Sequence, residues 1–245
     1  MFSESPLTDL AASRGPVVYV EDLSSPALAA EDRHHLERVL RLRSGDTVLL
    51  SDGRGSWRAA SFGPSLSWIA DGHHQDRAEP ELTISVALPK GDRADWLMQK
   101  VTEIGIDRIL VIEADHSVVR WDRSKAPRQL ERLARIVRAA AAQSRRAWLP
   151  EVAGPMTVEA AAQQPGSALA VPGGGPIAPA HRNVMIGPEG GWSATETGRG
   201  LPTIGLGPQV LRVETAAMAA GTLLVAMRSG LVLPPVAPSK NAFGG

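Results

Sequence analysis

Apolar residues recur with two different periods along this chain. Up to about residue 72 the runs are short. Val17, Val18 and Val20 predict one strand and residues 47–50 a second. Asp52-Gly53-Arg54-Gly55 is a turn signal, and residues 57–62 read as the return strand. Between the first two strands, residues 30–42 read as one helix, with Leu36, Val39 and Leu40 at helical spacing. This is the pattern of a small β-barrel or sandwich with one inserted helix. After the polar stretch Gly72-His73-His74-Gln75-Asp76, strands alternate with helices. Residues 82–88 alternate as a strand. Asp92 is the expected N-cap of a helix striped by Leu97, Val101 and Ile104 and stopped by Gly105. The continuous apolar run 109–112 suits a strand buried on both faces. A long helix over 125–146, short strands at 184–186 and 203–206, and a helix over 215–228 complete an α/β pattern with a mostly parallel sheet. The terminal residues 234–245, PPVAPSKNAFGG, read as a disordered tail.

Composition narrows the chemistry. The chain has 245 residues, 43% hydrophobic and 21% charged, with 26 basic and 26 acidic side chains and no Cys. Zero net charge argues against a tail-driven nucleic-acid binder. The missing Cys removes disulfides, thiol nucleophiles and Cys-based zinc sites. His34-His35 and His73-His74 are adjacent pairs, poorly placed to share a metal, so no metal site is expected. The first twenty residues lack a basic start followed by an apolar block, and no run of 18 apolar residues exists. A soluble, cytoplasmic protein with no membrane partner is expected.

Two glycine-bearing strand ends carry the informative chemistry. Ile186-Gly187-Pro188-Glu189-Gly190-Gly191-Trp192 follows the 184–186 strand, where an open α/β sheet binds ligands. Alone it could equally be a tight turn. Leu206-Gly207-Pro208-Gln209-Val210-Leu211-Arg212-Val213-Glu214-Thr215 follows the next strand. Two such elbows could wall one pocket, with apolar sides from Ile186, Leu206 and Leu211 and exposed backbone groups for an adenine edge. If the stretch is extended, Arg212 and Glu214 point the same way; the alternative is a solvated ion pair. Met218 reads as core. Neither a Walker loop nor a dinucleotide-binding fingerprint is present. Val171-Pro172-Gly173-Gly174-Gly175-Pro176 reads as a flexible loop without a site.

Charge is segregated along the long helix. Residues 120–148 hold nine Lys/Arg against two Asp/Glu, whereas residues 74–115 hold five against nine. Arg128, Arg132, Arg135 and Arg138 fall on one sector of that helix, opposite Leu130, Leu133, Val137 and Ala141. Such a ridge is either a solvated face or a phosphate-contacting one. Arg38 and Arg41 lie in a second basic excess near the N-terminus.

Taken in order, His34-His35-Leu36, Arg38-Val39-Leu40-Arg41, Gln99-Lys100, Glu103-Ile104-Gly105, Gln143-Ser144-Arg145-Arg146, the IGPEGG segment and LGPxVLRxET resemble the bacterial 16S ribosomal RNA uracil-N3 methyltransferases. These belong to the SPOUT, or trefoil-knot, superfamily. The resemblance covers roughly residues 15–230. It implies a PUA-like β-barrel for RNA binding over 1–72, and an α/β SPOUT trefoil-knot domain with a parallel sheet over 73–233. It also implies a homodimer and S-adenosylmethionine as cofactor. The implied substrate is one uridine near the decoding centre of the small ribosomal subunit.

On this resemblance Leu88, Ile186, Gly187, Glu189, Gly190, Gly191, Leu206, Gly207, Leu211 and Arg212 are expected to hold the cofactor. Glu214 is the candidate base, and Arg212 or Arg145 would orient the uracil. Arg38, Arg41, Arg128, Arg132, Arg135 and Arg145 would contact ribosomal RNA. Two positions depart from the family pattern: Ala142 stands where a Glu is frequent, and the stretch between Trp192 and Leu201 looks looser than usual. The rival readings are a SPOUT enzyme acting elsewhere, such as on a transfer RNA ribose, and a non-catalytic RNA-binding or ribosome-assembly protein.

Overall fold

The structure, a computed structural model, describes residues 10–122 and 124–232. The expected tail at 234–245 lies outside the described residues. The chain forms two compact units. One takes the residues up to Ala78 together with Ala134–Pro150; the other takes Glu79–Leu133 and the residues from Glu151 onward. The hydrophobic pattern marks only one boundary, near residue 72, because the 134–150 segment looks helical and basic like the residues before it. Packing places it in the first unit. Ala141 and Ala147 are buried with Leu10, Val17, Tyr19, Leu49 and Trp57, and Trp148 and Leu149 lie against them. Backbone bonds join Gly55 N–H to Ala147 and Leu149 N–H to Gly53. The Tyr19 hydroxyl donates to the Arg146 carbonyl at 2.6 Å. Burial pushes the Tyr19 phenol above its usual range, so it remains a donor.

In the first unit, strands β1 (Val17–Tyr19), β2 (Thr47–Ser51), β3 (Ser56–Ser61) and β4 (Ser67–Trp68) lie side by side, and β5 (His73–His74) also pairs with β3. β1 runs parallel to β2; the other pairs are antiparallel. Alternation along β2 feeds two cores. Leu49 joins the Trp57 cluster, while Val48 and Leu50 join Leu36, Ala60 and Phe62 on the opposite face.

The helix expected over 30–42 is shorter. Helix α1 (Ala30–His34) passes directly into a π-type turn over His35–Val39. The Leu40 N–H bonds back to His35, and Arg41 at φ +57° ends the element. A turn closed five residues back no longer stacks positions at 3.6 spacing. Leu36 is therefore fully buried, while Val39 is 61% and Leu40 45% exposed.

The second unit is a six-stranded sheet in the order β11-β9-β10-β6-β7-β8. Its strands are β6 (Thr83–Val86), β7 (Arg108–Glu113), β8 (Glu151–Thr157), β9 (Ser167–Gly175), β10 (Asn183–Ile186) and β11 (Thr203–Ile204). Every recorded pairing in it is parallel. Its helices are α2 (Asp92–Ile104), α4 (Val158–Ala162), α5 (Ala194–Thr197) and α6 (Val213–Arg228), while α3 (Ala126–Gln143) has residues in both units, up to Leu133 in this one and from Ala134 in the first.

Three local expectations are corrected. Gly91, at φ +66°, is the N-cap of α2 and Asp92 is its first helical residue, with no side-chain cap. Asp92 and Asp95 still place negative charge on the first turn. The Gly173-Gly174-Gly175 run is not a loop but the end of β9. A Cβ on Gly174 would lie 2.4 Å from the Ile204 carbonyl carbon, so its glycine is needed for β11 to pass. Helix α6 starts at Val213, two residues before the expected start. Gly105 stops α2 as expected, at φ +113°. A buried polar network ties the central strands. Ser85 donates to Asn183 Oδ1 at 2.7 Å, and Asn183 Nδ2 donates to Ser167 Oγ at 2.8 Å and to the Ala161 carbonyl at 3.0 Å.

Candidate active site

β9, β10 and β11 are neighbours in the sheet, with β9 in the middle, so the loops leaving their C-terminal ends converge. The chain runs from β9 to β10 on one side and returns to β11 on the other. A reversal of this kind leaves a crevice where the loops separate. The crevice here is a cavity of about 470 Å³. Ile186, Gly187, Glu189 and Gly191 from the first elbow line it, as do Leu206, Gly207, Leu211 and Arg212 from the second. Two of the expected cofactor residues lie elsewhere. Gly190 faces His116, whose Cβ a new methyl group would meet at 3.0 Å. Leu88 lines a separate hollow with Asp95, Trp121 and Arg132.

The first elbow is held by two side chains that sequence reasoning passed over. Trp192 donates from Nε1 to the Ala170 carbonyl at 3.0 Å, and its ring sits where a Gly187 Cβ would fall, 2.9 Å from Cε2. His116 Nδ1 lies 3.2 Å from the Gly190 carbonyl and 3.1 Å from that of Gly191. Carbonyls only accept, so this nitrogen carries the proton. Gly191 at φ +73° and Gly207 at φ +133° supply the turns. Ala170, Val171 and Pro172, from the strand read as a loop, form a third wall. The only sequence signals were the position of Trp192 directly after Gly191 and the glycines behind Pro172.

The stretch after Trp192 is firmer than its composition suggests. Ser193 and Glu196 form a reciprocal capping box around α5. Glu196 is buried, and its second oxygen accepts the Asp115 N–H at 2.9 Å. Thr197 then faces the cavity.

Arg212 and Glu214 are not an extended pair. Arg212 is the N-cap of α6 and lines the cavity, whereas Glu214 lies in the first helical turn. Glu214 is 7% exposed, and among the described residues its Oε2 has no hydrogen-bond partner. Arg93 stands between the elbows, 3.1 Å from Glu189 Oε1 and 4.0 Å from Glu214 Oε2. Nothing in the local sequence marks Arg93, because its partners lie about a hundred residues away.

The RNA candidates divide. Arg38, Arg41, Arg128 and Arg135 are exposed, with no ion pair recorded among the described residues. Arg132 is engaged: its Nη1 lies 2.7 Å and 2.6 Å from the two Asp95 oxygens. Arg145 belongs to the first unit, has φ +55°, donates to the Ser13 carbonyl, and does not line the cavity. Arg138 donates to the Tyr19 carbonyl and lies over the Tyr19 ring at 5.3 Å.

Comparison with known proteins bears on both units. Residues 77–225 match the model of the RNA methyltransferase domain, and residues 28–61 match that of the RNA methyltransferase PUA domain. The ribosomal RNA small subunit methyltransferase E of Mycobacterium tuberculosis is 31% identical over 232 residues, covering 82% of this chain and 88% of the relative. That of Synechocystis is 33% identical over 217 residues, covering 77% and 69%. The Neisseria gonorrhoeae enzyme of the same name, solved bound to S-adenosyl methionine, superposes with a TM-score of 0.76 at 27% identity, covering 88% of this chain and 98% of that one. A Legionella pneumophila methyltransferase in complex with bound cofactor SAM gives 0.74 at 27% identity, covering 87% and 98%. Among the described residues, no helix is long and apolar enough to cross a membrane. The parallel α/β sheet with its ligand-sized crevice, the preceding PUA domain and these likenesses together establish that the chain belongs to the ribosomal RNA small subunit methyltransferase E family.

Proposed function

We propose that the cavity between the glycine elbows binds S-adenosylmethionine and that the protein methylates N3 of one uridine in 16S ribosomal RNA, near the decoding centre of the small subunit. The observation that carries this reading is the convergence of both elbows on a single crevice. At about 470 Å³ the crevice falls within the size range of small-molecule sites. Apolar surface from Ile186, Leu206 and Leu211 suits a flat base, and the backbone of the elbows supplies donors and acceptors for its edge. Bound there, the cofactor supplies an already activated methyl group. The protein's task is then alignment and removal of one proton.

Glu214 is the acceptor for that proton. Among the described residues its buried Oε2 has no hydrogen-bond donor, and the uracil N3–H is one. The Glu214 carboxylate would take the N3 proton as the bound cofactor's methyl group replaces it on N3. Arg212, on the cavity wall, faces the pyrimidine oxygens on which negative charge builds. N3 lies on the pairing edge, so the uridine enters unpaired. Arg38, Arg41, Arg128 and Arg135 offer exposed guanidinium groups to the RNA backbone. A trefoil knot, a homodimer and a cytoplasmic setting belong to the same reading.

Nucleoside mass spectrometry tests it, on small-subunit RNA from cells lacking this protein, before and after treatment with protein and S-adenosylmethionine. N3-methyluridine should appear only after treatment. A 2′-O-methylated nucleoside would assign the enzyme to another site. No new nucleoside, together with no calorimetric binding of S-adenosylmethionine, would leave a non-catalytic RNA binder.

A further inference from the structure

The proposed reaction leaves Arg93 without a role, yet its placement is specific. It sits at the second position of α2, an element that follows neither elbow. Its guanidinium meets Glu189, which lines the cavity on the first elbow, at 3.1 Å. At 4.0 Å it faces Glu214, in the first turn of α6 beyond the second elbow. The Glu214 contact is too long for a hydrogen bond. The guanidinium therefore offers Glu214 Oε2 positive charge without occupying its lone pairs. Among the described residues, that oxygen is buried without a hydrogen-bond donor, and the guanidinium is the positive charge beside it.

Resting on the function proposed above, we propose that Arg93 is a positioning residue for methyl transfer: it ties the first elbow, through Glu189, and the first turn of α6, through Glu214, to α2, and so sets where the Glu214 carboxylate stands. The bland alternative is a partly solvated ion pair, since the Arg93 side chain is 38% exposed. Such a pair would contribute little to stability and nothing to turnover. The two readings differ in what they move. A surface pair affects the melting temperature slightly. A clamp on reacting groups affects turnover, because displacement by about an ångström can lower a rate on the order of 100-fold.

The test uses the full-length protein, S-adenosylmethionine and small-subunit RNA. Arg93→Ala should lower kcat by about 10- to 100-fold, with the KM for RNA within about two-fold of the parent. Its melting temperature should stay within a few degrees of the parent. Arg93→Lys, which keeps the charge and loses the two-sided reach, should recover part of the loss. The double variant Arg93→Ala/Glu189→Gln should be no slower than Arg93→Ala, because residues acting as one unit are not additive. Parental kcat in Arg93→Ala overturns the proposal. So does a strictly multiplicative double variant, or a Lys variant as slow as Ala. A parent protein that neither binds S-adenosylmethionine nor methylates the RNA would overturn the function itself, and that outcome is read from the parent alone.

Discussion

At the scale of single residues, glycines that look alike in sequence have different jobs. Gly187 abuts the Trp192 ring and lines the cavity, whereas Gly190 abuts His116 outside it. Gly187→Leu should therefore drive the indole off the Ala170 carbonyl and weaken S-adenosylmethionine binding by more than about ten-fold, since each 1.4 kcal/mol is a factor of ten. Gly190→Ala asks only His116 to yield and should change affinity by less than about three-fold. Titration calorimetry on both variants checks the pair, and equal losses would contradict the geometry. Glycines, prolines and motif spacing are local marks, which is why both elbows are legible in the chain. The Arg93 and His116 contacts reach across 74 residues or more and the Ala170 wall meets Trp192 22 residues on, so no local pattern announces them.

At the scale of elements, periodicity finds most helices and strands and fails where the backbone departs from a regular period. The α1 region is the example: Leu36, Val39 and Leu40 share a face only while the turn stays α-helical, and the π-type turn separates them. The β9 glycines fail for the opposite reason. A strand packed directly against the backbone of β11 needs residues that resemble loop residues. Helix α5 has only four residues, too short to persist on propensity. Its existence rests on Glu196, which completes the capping box and accepts the Asp115 N–H. Glu196→Ala should destabilise the second unit by about 1–2 kcal/mol, read from the urea midpoint at unchanged slope. It should also loosen Thr197 at the cavity wall and so weaken cofactor binding.

At the scale of the whole molecule, balanced total charge hides local cationic surface. Arg38 and Arg41 stand exposed beside Val39 and Leu40 on the outside of the first unit's turn. If they contact phosphates, Arg38→Ala/Arg41→Ala should reduce the slope of log affinity for small-subunit RNA against log salt by about 1.5, at roughly 0.7–0.9 per phosphate. Cofactor affinity should not change. An unchanged slope would return them to the solvent.

The boundary between the units has a practical consequence. The first unit is assembled from two separated pieces of chain, and its Trp57 core is closed by Ala141, Ala147, Trp148 and Leu149 from the later piece. A gene cut after Ala78 thus encodes a protein with one wall of its interior missing. That fragment should be insoluble or molten. Adding residues 134–150 through a short glycine-serine linker should restore a cooperative melt. Neither half of this enzyme can be lifted out by a single cut.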